Sequence, residues 1–523
     1  MSEQINSLKL RNTVSILIIL IATAFIIRLY FLPFDVPIRQ DGADYFTYAY
    51  LIHINNYFPT GYLVNNFGWS TFVSLFFSII DSNEMLDLMN LQRILSVSLS
   101  VLTSIPIYFL VNSFFNKKVS ILSTALFLFS SHLIENSIIG VIEPLFILCV
   151  ALIVMFTFYK HGKYFYISFI LAGVAVFVRY EGILLIIPVL LSFFIKYDFS
   201  RNQILKFLIG IVLFLIVLTA ISLLENDKGE RLPMVNFVPD VLFDYFFPII
   251  IGNEYDSNDK LYGENSENKS QTFVYYAGSN FVKYLGWILV PSSIVFVIMS
   301  VILVPKKVSR NKIIIITYIL FLSIAALWAY GRGIQDTRYL LVLFPIISLF
   351  TAYSFNYFIR KFSYKKIFIL IISIMIISST IFVDTRINNE VNEELFYAAV
   401  FLSDNSKGVN QYEGISYLRI AELQKSWPDV PPLNDKNKMD LNILKFSVSE
   451  YDELLKFVID NKNNNLTHIM VGESDNKEFL RDVFSNEEKY DYLEKVYENN
   501  ELYKIKIFEI DFSKVDKFPD RPS

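Results

Sequence analysis

Residues 12–45 read NTVSILIILIATAFIIRLYFLPFDVPIRQDGADY, and this stretch sets the class of the fold. Its first half is a run of about 20 mostly apolar residues, the length that crosses a bilayer core as a helix. Its second half turns polar and carries Asp41, Asp44 and Tyr45. Lys9 and Arg11 precede the run and no small-residue cleavage site follows it, so a retained first span is expected rather than a removed signal.

Working outward, the same alternation recurs along the chain. Of 523 residues, 54% are hydrophobic and 18% charged, and mean hydropathy is +0.44. Soluble globular proteins carry about 25% charged residues, so much of this chain has lipid as its solvent. About eleven spans are expected, at roughly 12–32, 91–111, 119–134, 141–159, 164–180, 183–196, 207–224, 285–304, 313–330, 339–358 and 367–384. The expectation is an all-α polytopic membrane bundle over 1–384, with a first outer loop at 33–90 and a large outer loop at 225–284.

Loop charges give the orientation, because Lys and Arg concentrate on the cytoplasmic side. With the N-terminus inside, the inner loops collect Lys117/Lys118, Lys160/Lys163, Lys196/Arg201/Lys206, Lys306/Lys307/Arg310/Lys312 and Arg360/Lys361/Lys365/Lys366. Segment 67–80 (FGWSTFVSLFFSII) is apolar but stays uncounted. Counting it as a span would turn Asp81, Glu84 and Asp87 inward and invert every later loop, so it is expected to pack at the outer interface or re-enter.

The charge is unevenly placed. Residues 385–523 hold 18 Lys+Arg against 27 Asp+Glu, whereas the remainder holds 28 against 23. No apolar run in those last residues is long enough to span. A boundary near Asp384 is therefore expected, followed by a small exoplasmic α/β domain at 385–523. Its residues 395–402 read as helix, while 467–471 and 503–510 alternate like strands. One cysteine, Cys149, excludes an internal disulfide and any cysteine-based zinc site, and four scattered histidines argue against a histidine-rich metal centre. Nothing in the composition points to nucleic acid.

On the outer side polar residues recur at helix ends: Arg39 and Asp41 to Tyr45; Glu135 and the Glu143-Pro144 pair; Arg179-Tyr180-Glu181-Gly182; and Arg332, Gln335, Asp336 and Arg338. Each has an ordinary reading. Arg and Glu near helix ends snorkel or pair at the interface, as expected for Arg28 and Arg93, and Asp41 and Asp44 also suit the start of a helix at 43–54. Ionisable groups at membrane depth are nevertheless costly, which makes a convergent set a functional candidate. A guanidinium fork fits phosphate oxygens, and a carboxylate can take a proton from an attacking hydroxyl. Together they describe transfer of a group from a lipid phosphate at a membrane surface.

The order of these motifs resembles the polytopic glycosyltransferases of the GT-C fold, of the protein O-mannosyltransferase and aminoarabinose-transferase kind. The likeness runs over about 12–384. It rests on Arg28-Leu-Tyr, Asp41-Gly-Ala-Asp44-Tyr45, Gly68-Trp69, Leu91-Gln-Arg93-Ile-Leu-Ser96, Glu143-Pro144, Arg179-Tyr-Glu181-Gly182 and Arg338-Tyr-Leu-Leu-Val-Leu-Phe-Pro345. The resemblance implies a polyprenyl- or dolichyl-phosphate sugar donor, an acceptor hydroxyl, inversion at the anomeric carbon and a catalytic acid in the first outer loop. By that implication Asp41 is the base. Asp44 and Glu143 stand behind it, orienting the acceptor or holding a divalent ion. Arg179, Glu181, Arg332, Asp336, Arg338 and Tyr45 fall to the substrate. Two departures stand out: Gly42 follows Asp41 where an adjacent Asp-Glu pair is usual, and no Trp-Trp-Asp motif marks an oligosaccharyltransferase. A transporter or flippase of a lipid-linked or anionic substrate is the rival class. Transporters place charge near the midplane on broken helices, often in repeats.

Overall fold

The computed structural model describes residues 2–56, 58–59, 66–80, 82, 84–159, 162–197, 200–225, 269–362, 364–387, 389–412, 416–428, 443–473, 475–499 and 504–515. Most of the expected outer loop 225–284, and Asp81, lie outside the described residues. The order begins α1 (Ser2–Tyr30), α2 (Asp41–Asn55), α3 (Gly68–Phe77), α4 (Met85–Leu102), α5 (Ser104–Asn112), α6 (Lys117–Leu128), α7 (Ser131–Ile138), α8 (Glu143–Phe158), α9 (Phe165–Val178), α10 (Ile186–Lys196) and α11 (Arg201–Glu225). It continues with α12 (Lys269–Ile288), α13 (Ile294–Leu303), α14 (Arg310–Gly331), α15 (Arg338–Leu341), α16 (Phe344–Lys361), α17 (Tyr364–Asp384) and α18 (Asn389–Asn405).

Among the described residues, five stretches are long and apolar enough to cross a membrane: Thr13–Tyr30, Met85–Asn112, Arg201–Ala220, Arg310–Gly331 and Lys366–Asn405. A bent pair, α6 with α7, makes a sixth if it is one span. Their outward faces are apolar. Ile18, Ile19 and Ile26 on α1, Leu205, Leu208 and Val212 on α11, and Ile369, Leu370 and Ile374 on α17 are all exposed. Apolar surface on that scale is unsuited to water and suited to lipid. Inside this rim, Val101, Ile107, Leu126, Ile153, Phe169 and Phe355 belong to one continuous core.

Several expected spans are broken, and two of the breaks have clear physical causes. The 119–134 span bends by 50° between Leu128 and Ser131. Carbonyls freed at such a bend need donors, since lipid supplies none. Arg28 Nη1 donates to the Leu128 oxygen at 3.0 Å, and the Ser379 hydroxyl donates to the Phe129 oxygen. The 285–304 span is interrupted between Ile288 and Ile294, where Pro291 lacks an N–H for a helical ladder. Segment 67–80 forms the short helix α3, packed on α2, α4 and α9.

The expected snorkelling of Arg28 and Arg93 does not occur. Arg28 is wholly buried and spends its donors on neutral oxygens of Ala24, Leu128, Ser137 and Ser100. Arg93 is 3% exposed, with Nη1 donating to the Pro33 carbonyl and the Asn90 side chain. Both side chains are held by the interhelical packing, so neither reaches the interface.

The C-terminal part is α/β, as the alternation of 467–471 and 503–510 implied. It contains β1 (Gly408–Asn410), α19 (Ser416–Ser426), β2 (Leu444–Phe446), α20 (Leu454–Asn461), β3 (His468–Gly472), α21 (Glu478–Ser485), β4 (Leu493–Asn499), β5 (Ile505–Ile510) and α22 (Phe512–Val515). The sheet order is β2-β1-β3-β5-β4, parallel as far as β3 and antiparallel beyond it. Asn410, fully buried, exchanges two hydrogen bonds with the backbone of Met470 and so ties β1 to β3. The sheet has its own apolar core around Phe457, Ile469, Val471 and Phe508.

Candidate functional site

The residues expected on the outer side do converge. Asp41 opens α2, Glu143 opens α8, Arg179 ends α9, Glu181 lies in the 3-10 turn Tyr180–Leu185, and Asp336 and Arg338 sit at the start of α15. The ends meet because backbones approach closely where glycine allows it. A Cβ at Gly42 would lie 2.5 Å from Ile38 Cγ2 and 3.0 Å from the Ile139 oxygen. That contact explains why an acidic residue cannot follow Asp41 here. One at Gly182 would lie 2.4 Å from the Ala175 carbonyl, so the 3-10 turn folds back tightly on α9.

Gln92 ties the start of α2 to the loop before α8. Its Nε2 donates to the Gly42 oxygen at 2.9 Å and to the Gly140 oxygen at 2.6 Å. Trp69 Nε1 donates to the same Gly140 oxygen at 3.1 Å. Two motif residues that looked incidental in the sequence thus hold the loop that carries Asp41.

The charges form an alternating chain. Arg179 donates to Glu143 at 2.9 Å and, through two nitrogens, to Glu181 at 2.9 and 3.3 Å. Arg338 donates to Asp336 at 2.6 Å and to Asp41 at 3.0 Å. Burial works against the Arg338 charge, yet Glu143, Asp336 and Asp41 more than offset it and hold the guanidinium above its ordinary range. Burial likewise pushes the Glu181 carboxyl up, but Arg179 beside it pulls it below the usual carboxylate range. Tyr45 is buried among these groups; burial first, then Glu143, pushes its phenol up.

Two hollows flank Arg338. One, about 30 Å³, is an apolar cleft between Phe146, Leu184, Phe321 and Val342 that ends on Glu143, Arg179 and Arg338. Glu143 Oε2 is buried there without a hydrogen-bond partner. The other, about 370 Å³, is polar and is bounded by Arg39, Asp41, Arg93, Glu135, Asn136, Asp336, Arg338 and Arg386.

Not every expected residue joins. Arg332 caps α14 and lies 5.9 Å over the Trp328 ring, and it borders neither hollow. Asp44 pairs with Arg419 on α19, which brings the C-terminal part onto the site. The Trp427 ring lies 4.1 Å from that of Tyr50, tilted by 37°, and Arg39 lies 5.6 Å over Tyr417. Asp44 and Glu143 are each taken up by an arginine, and no group of three metal-ligating side chains occurs among the described residues. A divided pair of this kind does not fit a divalent ion. Sequence reasoning missed Asn136, Arg386, Tyr417 and Arg419, none of which carries a local motif, and gave Gln92 no role beyond its place in the 91–96 motif.

The fold and this site define a polytopic membrane protein of GT-C architecture. The solved oligosaccharyltransferase of Archaeoglobus fulgidus in complex with zinc and sulfate is similar at a TM-score of 0.52 and 12% identity, over 86% of this chain and 67% of that one. Its apo form gives 0.51 and 13%, over 94% and 74%. ArnT from Cupriavidus metallidurans bound to undecaprenyl phosphate gives 0.41 and 10%, over 94% and 97%.

Within that class, residues 68–224 match the family model described as dolichyl-phosphate-mannose-protein mannosyltransferase. The matched stretch holds Gly68-Trp69, Gln92-Arg93, Glu143 and Arg179 to Gly182. The resemblance read from motif order is borne out. No curated protein sequence matches the chain.

Proposed function

We propose that this protein is a membrane glycosyltransferase moving a sugar from a polyprenyl- or dolichyl-phosphate donor to an acceptor hydroxyl on a protein, lipid or glycan. The observation that carries the reading is Arg338, which borders an apolar cleft and a polar cavity at once and is paired to Asp41. The apolar walls of the cleft suit the lipid side of the donor, its phosphate suits Arg338 with Arg179 nearby, and the sugar suits the cavity. The family match at 68–224 supports the same donor class.

The chemistry follows from partner exchange. Asp41 is 57% exposed and Arg338 28%, so their ion pair is worth little and separates readily. A donor phosphodiester takes Asp41's place on Arg338 and leaves the carboxylate free. Asp41 then removes the proton of the acceptor hydroxyl. The acceptor oxygen bonds to the anomeric carbon from the side opposite the phosphate, and the carbon–oxygen bond to phosphate breaks. Its electron pair leaves on the prenyl phosphate, beside the guanidinium, and the anomeric centre inverts.

The direct test supplies purified full-length protein with a radiolabelled polyprenyl-phosphate sugar and measures release of polyprenyl phosphate. No release with any acceptor class would remove the enzymatic reading. Arg338→Lys keeps the charge but loses the fork. Donor affinity is expected to fall about tenfold, the loss of roughly one charge-assisted hydrogen bond. Unchanged affinity would make Arg338 a purely structural partner of Asp336.

We further propose eleven crossings, with the N-terminus inside and residues 385–523 outside. The basic loops support this orientation. Cysteines placed at Ser309 and Ser406 and labelled from outside intact cells should react only at 406. Labelling at 309 would overturn the orientation.

A further inference from the structure

We propose that the polar cavity is built for a sugar that carries an anionic substituent, a carboxylate or a phosphate monoester, received by Arg39 and Arg93. The proposal rests on the donor reading above. Four guanidiniums border this cavity against three carboxylates. Arg338 takes Asp41 and Asp336, and Arg386 takes Glu135 at 2.9 Å. Among the described residues Arg39 and Arg93 have no carboxylate partner.

The two differ from a merely structural arginine such as Arg28, each of whose three nitrogens donates to a protein oxygen. Arg93 is equally buried, yet its Nε has no hydrogen-bond partner. Asn136 is 5% exposed, and both its amide oxygen and its amide nitrogen lack partners. Unmet donors on a buried cation are costly to keep, and both residues border the same space. An anionic group supplies the missing acceptors and charge. The Asn136 amide, one donor group and one acceptor, suits adjacent sugar hydroxyls. A neutral sugar would leave Arg39 and Arg93 without an anionic partner. With the linkage phosphate on Arg338, an anion carried by the sugar is what would reach Arg39 and Arg93.

The test measures equilibrium binding to the full-length protein of farnesyl phosphate and of farnesyl phosphate linked to glucose, glucuronate or glucose 6-phosphate. One or both anionic donors should bind about tenfold or more tightly than the glucose donor, as a charge-assisted pair provides. Arg39 is exposed at the cavity mouth, so Arg39→Gln should leave the fold in place. It should bring the favoured donor down to the glucose level. The better of the two anionic donors identifies the substituent.

Equal affinity for the three sugar donors overturns the inference while leaving the glycosyltransferase reading intact. A fall in affinity for plain farnesyl phosphate in Arg39→Gln assigns the arginines to the linkage phosphate and also overturns it. If none of the four ligands binds, the lipid-phosphate reading fails as well.

Discussion

Replacing Asp41 by asparagine is expected to lower turnover by about 10²–10⁴-fold, the usual contribution of a positioned general base, with donor affinity kept or slightly raised. The leaving phosphodiester is already a stable anion, so the step that lacks help at neutral pH is deprotonation of the acceptor. Asparagine keeps the size of the side chain and cannot take that proton. Asp41 sits exposed in the first turn of α2, so the substitution forgoes only a small helix-dipole term of about 0.3–1 kcal/mol. Folding is therefore expected to survive, as read by an unchanged elution profile and melting curve. Donor affinity is expected to hold because Asp41 competes with phosphate for Arg338. If Asp41→Asn stays near normal while Glu143→Gln abolishes turnover, the base is Glu143, whose Oε2 is already buried and unpartnered. If these variants and Asp44→Asn all stay active, this face is not catalytic.

Arg179→Gln is expected to destabilise the protein by about 3–5 kcal/mol, because it breaks a buried ion pair from one side. The guanidinium is 12% exposed and lies between Glu143, at 7%, and Glu181, at 25%. Without it two poorly solvated carboxylates face each other across a few ångströms. The pH dependence should reverse with the substitution. In the native protein Arg179 holds the Glu181 carboxyl below its ordinary range, so that stabilisation is present above the usual carboxylate pKa and is lost as pH falls through the depressed value. In Arg179→Gln burial instead favours the neutral acid. The variant should therefore gain stability as pH is lowered from 7 towards 5. Adding Glu143→Gln should recover part of the loss at neutral pH. A melting temperature that matches the parent at both pH values would show that Arg179 holds nothing together, leaving substrate binding as its only role.

What could be read along the chain, and what could not, divides on a physical line. Hydropathy is additive over neighbouring residues, so the 12–32 run announced a membrane helix without reference to anything else. Alternating basic loops likewise placed Asp41, Glu143, Arg179 and Arg338 on one face. The period-2 pattern of 467–471 and 503–510 foretold strands that pair as β3 with β5. Fold class and the neighbourhood of the candidate site were therefore legible.

Which of those residues touch was not. The pairing of Arg338 with Asp41 spans 297 positions and that of Arg419 with Asp44 spans 375, and no local pattern encodes either. The bend at Phe129 depends on Arg28 and Ser379 arriving with donors, and the tight seat of Gly42 depends on Ile139 of a different loop. Arg332 has the same sequence credentials as Arg338 yet turns onto Trp328. Arg93 reads as an interfacial arginine and Asn136 as an ordinary polar residue, until packing buries both in one cavity with donors unmet. By itself the sequence determined that the chain is membrane-embedded and where its polar ends gather, because transfer to lipid is decided segment by segment. The tertiary structure alone decided which charges neutralise each other and which are left for a ligand, because that depends on distances between helix ends that only long-range packing sets.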